Sequence, residues 1–196
     1  VKSHSFAHKS GTECLYAMEA MFQWLAKELI STRGFFVTPE LKIYESLSGP
    51  LQHIEDQKIL VSKEVGIESA RLEKRTHHSR SDLVLAANGH ELLIEIVVTK
   101  KTDSKRLESI KKSHLSAIEI DLSEASLATV ADFEHILFSD SRCKRWLFNA
   151  REDGIRNILR SKIAEKLSLQ NDEYKRKRIE KEAADNLRNK QSHELS

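Results

Sequence analysis

A chain of 196 residues, 39% of them apolar and 32% charged, is long enough for one domain with a real core and an appendage. Its formal net charge of +2 gives no case for nucleic-acid binding from the total, so that case must rest on local patches. No apolar run approaches the ~18 residues that span a bilayer; Cys14 and Cys143 fall in different predicted helices with no CxxC pair, which favours a reducing cytoplasm and leaves no zinc signature.

The first strong element is the helix "GTECLYAMEAMFQWLAKELI". Cys14, Met18, Met21, Phe22, Leu25 and Leu29 follow helical spacing on one face, with Thr12 as N-cap and Gly34 as the stop. "FFVTPELKIYES" reads as one or two short strands broken at Pro39, and Ser48-Gly49-Pro50 as a turn. Residues 58–75 look extended and "THHSR" is a polar connector. Alternation and an Asn88-Gly89 turn make 82–99 a hairpin. "DSKRLESIKKSH" is an amphipathic helix on Leu107 and Ile110, "SAIEIDLS" a buried strand, and 126–138 a further helix. This order implies a βαβ crossover on a mixed sheet, an α/β or α+β class. "RCKRWLFN" is expected as an aromatic lid on that core. Beyond residue 151, Ile155, Leu159, Ile163 and Leu167 recur every four residues, and then charge dominates. The expected division is a domain at 1–150 and a helical, highly charged extension at 151–196. Interspersed signs in its second half favour a solvated helix or coiled-coil arm.

The informative stretch is "SDLVLAANGHELLIEIVVTK", 81–100, because Glu95 interrupts an apolar strand, where an unpaired charge costs several kcal/mol (about 3–5). If the strands pair about Asn88-Gly89, residues whose numbers sum to 177 face each other, Asp82 and Glu95 among them. Carboxylates so placed lie ~5 Å apart and repel unless a cation or shared proton compensates. One reading is a Mg²⁺ site for phosphodiester chemistry; the other is a strand-end Asp and a Glu salt-bridged to Arg80 or Lys100. Basic residues flank the pair, from Arg71 to Arg80 and from Lys100 to Lys112. They form either a phosphate-steering rim or a solvated face. His77-His78, and the set His4, His8 and Cys14, lack metal-ligand spacing.

A helix carrying Glu, then a strand, an Asp–hairpin–Glu, a helix and a strand resembles the PD-(D/E)XK nuclease superfamily. Within it the chain is most similar to the CoiA-like competence-protein nucleases. "SFAHKSG" at 5–11 resembles their lead-in, Glu19, Gln23 and Lys27 their Glu…His…Lys helix, and "RSDLVL", "LLIEIVVTKKTD" and "IEIDLS" their core strands. The resemblance covers about residues 5–150. It implies a restriction-endonuclease-like α/β fold, a mixed sheet flanked by helices, and Mg²⁺- or Mn²⁺-dependent hydrolysis of DNA in the cytoplasm. Asp82, Glu95 and the Ile96 carbonyl oxygen would bind the metal, and Glu19 would orient water or a second ion. The superfamily's lysine two residues after the Glu, often Gln in the CoiA-like members, is Val97 here. A migrated lysine would be Lys101, Lys27 or Lys105. The alternative is an inactive nuclease-fold module that binds DNA or a protein partner, or self-associates through the C-terminal helix, with no membrane.

Overall fold

In a computed structural model the chain is described over residues 11–73, 82–98, 102–125 and 129–194, with backbone alone at 11–16, 73, 82 and 189–194. Its contacts divide it into two compact units, Val1–Leu41 with Ile59–Ala150, and Lys42–Lys58 with Arg151–Ser196. The hairpin 42–58 therefore groups with the C-terminal helix.

The first unit is built on a five-stranded mixed sheet in the order β5 (Ser69–Glu73), β6 (Asp82–Ala87), β7 (His90–Val97), β8 (Ser116–Asp121), β9 (Lys144–Phe148). The pair β6–β7 is the expected hairpin. Leu83 faces Ile94 and Leu85 faces Leu92, the register that sums to 177. Its turn needs positive φ at both central residues, which Asn88 (φ 53) and Gly89 (φ 72) supply. Strands β7 and β8 are parallel, as a crossover through α2 (Ser104–Ser113) requires. That helix starts at an Asp103 cap, whose side chain accepts the Arg106 N–H, and ends at His114.

Strand alternation gives the sheet two faces. On one, Leu83, Leu85, Ile94, Ile96, Ile118 and Ile120 pack with Phe22, Ala26 and Ile30 of α1 (Gly11–Arg33) and with Phe133, Ile136 and Leu137 of α3 (Val130–Phe138). On the other, Val84, Leu93 and Ala117 meet Ile110 of α2. The unit is thus a mixed sheet between helices, of α/β class. A small ladder, β1 (Phe35–Thr38) with β4 (Lys63–Gly66), completes it.

Three expectations are corrected. Thr12 lies inside α1 rather than capping it. The core stripe of α1 is rotated: Glu19 and Gln23 are each 2% exposed, whereas Met18 is 37% and Met21 52% exposed. "RCKRWLFN" is an edge strand, β9, paired with β8, rather than a lid.

In the second unit, β2 (Leu41–Ser48) and β3 (His53–Leu60) form a two-stranded sheet, and α4 runs over Glu152–Glu194. Leu159, Ile163 and Leu167 are buried. A Cβ at Gly49 would come 3.0 Å from Leu167 Cδ2, so any side chain there would require the Leu167 methyl to shift by a few tenths of an ångström. Glu45 accepts from Arg156 Nη1 and Arg160 Nε, both at 2.9 Å. Among the described residues no helix is long and apolar enough to cross a membrane.

Candidate functional site

The register assembles a row of charged positions across the sheet. Glu73 faces Asp82, Glu95 faces Glu119 and Glu119 faces Arg145. Extending the β6–β7 register by one step sets Asp82 opposite Glu95. Four acidic positions and one arginine thus occupy one level of five neighbouring strands, toward the carboxyl ends of the parallel pair β7–β8. In α/β sheets, ligands bind outside those ends.

Two of these carboxylates are buried side by side. Glu95 is 5% exposed and Glu119 fully buried, each inside an Ile-Glu-Ile triplet whose isoleucines serve the opposite core face. Adjacent buried carboxylates repel and must be compensated. Arg106, in the first turn of α2, places Nε 2.7 Å from Glu95 Oε1 and brings Nη2 to the same oxygen. Arg145 Nε donates to Glu119 Oε1 at 2.6 Å, and the Thr102 N–H to Oε2 at 2.8 Å. Burial pushes the Glu119 carboxyl up, but the hydrogen bonds from Arg145 and Thr102 outweigh it and hold it below the ordinary glutamate range. The start of α2 is therefore tied to the sheet through both acids, and two guanidinium charges balance two carboxylates.

Glu19 reaches the same strand end from the other face of the sheet, where its Oε1 accepts the Val98 N–H at 3.3 Å. Lys27 bridges Glu28 at 2.8 Å. Ile96 and Val97 are fully buried in β7, with Val97 opposite Asp121. Lys105 is exposed on α2. The Asp82 side chain and Lys101 lie outside the described residues, as do Lys100, Arg80 and the His77-His78 pair. The cation beside Glu95 is thus Arg106, which the sequence had offered only as part of a basic rim. Glu119 and Arg145 were also missed. The signal that could have found Glu119 is the repeated Ile-Glu-Ile, which parallel pairing brings triplet to triplet.

Oxygen donors on one sheet face suit a hard divalent cation. Among the described residues no three His, Cys, Asp or Glu converge as a metal-holding group. Mg²⁺ is commonly held by one or two carboxylates plus water and phosphate; here Glu95 is the described carboxylate that could serve, with its Oε1 engaged by Arg106. Comparison with protein-family models, with curated proteins and with solved structures finds no match.

Proposed function

We propose that the first unit is a metal-dependent deoxyribonuclease of the PD-(D/E)XK type, hydrolysing phosphodiester bonds. The observation that carries this reading is the β6–β7 register, whose last pair is Leu83 with Ile94; one further step along it would bring Asp82 opposite Glu95. Around it, the sheet strands β5, β6 and β7 are antiparallel neighbours, followed by the crossover helix α2 and the parallel strand β8, with α1 and the strands β1 to β4 preceding them in the chain. Asp82, Glu95 and the Ile96 carbonyl oxygen would hold Mg²⁺ or Mn²⁺. A cation held there supplies Lewis-acid stabilisation of the charge developing on the phosphate. Glu19 would orient water from the strand end, and Lys101 or Lys27 would polarise the nucleophile.

A second reading, an inactive nuclease-fold module that binds DNA or a protein partner, is favoured by a specific observation. Val97 is buried at the superfamily's lysine position, and Glu95 and Glu119 are each matched by an arginine. The two readings part in one experiment. In the first, linear DNA is cut with Mg²⁺ or Mn²⁺, Asp82→Ala and Glu95→Ala abolish cutting, and both remove the rise in melting temperature that a metal bound only to the folded state produces. Equal cleavage by parent and Asp82→Ala would overturn the metal assignment. No cleavage in the parent, with DNA still bound, would establish the second reading.

A further inference from the structure

We propose, resting on the metal-dependent reading, that Arg106 and the divalent cation compete for the Glu95 carboxylate. Arg106 is then a built-in counter-ion that metal binding displaces toward the phosphodiester anion of the substrate.

Three observations carry it. Arg106 sets both Nε and Nη2 on one oxygen, Glu95 Oε1. With the Arg106 side chain 17% exposed and that of Glu95 6%, the pair is largely desolvated. A cation approaching that oxygen meets the guanidinium at close range, where repulsion is weakly screened. The backbone then fixes where Arg106 can go. Its N–H is held 2.8 Å from the Asp103 cap, so the side chain pivots at the start of α2, where the helix dipole favours anions and disfavours cations. Finally, the neighbouring Glu119 is already engaged by Arg145 and by the Thr102 N–H. A displaced Arg106 therefore finds no unmatched charge on Glu119. A substrate phosphodiester brings two non-bridging oxygens, which a planar guanidinium binds in two-pronged fashion.

The proposal separates two roles that one lysine would combine. Arg106 holds the Glu95 carboxylate in place, and on displacement it supplies positive charge to the substrate. It is a positioning residue for the metal ligand and a contact for the phosphate, and it is not itself the base.

The test is Mn²⁺ affinity by calorimetry on the full chain, read without turnover, for the parent, Arg106→Gln, Arg106→Lys and Asp82→Asn. Competition predicts that Arg106→Gln tightens Mn²⁺ binding by roughly tenfold, about one decade in Kd. Arg106→Lys, which cannot fork onto one oxygen, should tighten it by a smaller factor. With Ca²⁺ in place of Mn²⁺, Arg106→Gln should weaken binding of a short duplex and lower its salt slope by about one phosphate contact. In the parent, the Arg106 Nε–H resonance should move when Mg²⁺ is added, a readout that needs no variant to fold. Unchanged or weaker Mn²⁺ affinity in both Arg106 variants, with a parent that binds Mn²⁺ through Asp82, overturns the competition and leaves the nuclease reading standing. If neither the parent nor the Arg106 variants bind Mn²⁺, or Asp82→Asn binds as the parent does, the nuclease reading falls and the proposal with it.

Discussion

Lys144 is a buried cation whose ammonium donates to the Val37 and Leu137 carbonyls, both at 2.7 Å, and lies 4.5 Å from the Phe36 ring centroid. The Leu137 carbonyl belongs to the last turn of α3, so the lysine closes that helix end. Burial pushes its pKa from 10.5 down to about 7, against smaller raising effects from Asp140 and Cys143. Between those two values the unfolded chain binds more protons than the folded one, so this group makes stability rise with pH across that window. Lys144→Met should remove the rise. Denaturant unfolding at pH 7 and pH 9.5 should show the parent gaining on the variant at the higher pH. A difference that stays flat means the ammonium is not destabilised by its surroundings. Leaving the two carbonyls unmatched adds a pH-independent cost of about 1–3 kcal/mol each, which the comparison of the two pH values cancels. None of this was legible beforehand, since "RCKRWLFN" reads as an aromatic lid and singles out its apolar residues rather than Lys144.

Helix α1 shows why periodicity identifies an element without always fixing its orientation. Between Cys14 and Ala26 its polar residues are Glu19 and Gln23, which a wheel read by hydrophobicity sets on the shoulder of the apolar face rather than at its centre. The sheet end turns them inward, because the Val98 N–H offers Glu19 a partner and a buried polar group with a partner is tolerated. Helix α2 was more legible. Its Leu107–Ile110 face was expected, and Ile110 is buried as the spacing requires. What the wheel omitted is the Asp103 cap, which holds the turn that carries Arg106. Asp103→Ala should destabilise the first unit by about 1 kcal/mol, the usual worth of an N-cap, with Asp103→Asn close to the parent. Urea unfolding checks this directly; a cap without value would leave Asp103→Ala and the parent with the same midpoint.

The two units invite truncation. In α4 the buried residues Leu159, Ile163 and Leu167 and the Glu45 partners Arg156 and Arg160 all precede residue 168. Beyond it, exposed i,i+4 pairs such as Glu173–Lys177 and Arg178–Glu182 support the helix only locally, being solvated and screened. Ending the chain at residue 170 should therefore leave amide exchange in the hairpin 42–58 unchanged. Ending it at 150 should speed that exchange strongly, since Glu45 loses both arginines and Gly49 its leucine neighbour. Equal exchange in the two truncations would falsify the division into units.

Local rules were enough for the helix at the start, the Asn88-Gly89 hairpin with its register, the crossover at α2 and the long C-terminal helix. Each rests on neighbours close in the chain: turn chemistry, alternation, helical spacing. The register in turn was enough to set Asp82 opposite Glu95. The partners of those acids come from elsewhere. Arg106 meets Glu95 only because the crossover folds α2 back onto the sheet. Glu119 stands beside Glu95 only because β8 runs parallel to β7, and Arg145 joins them only because "RCKRWLFN" enters the sheet as its edge. Charge compensation in a low-dielectric interior depends on distances of a few ångströms between residues far apart in the chain, and spacing along the chain carries no information about them.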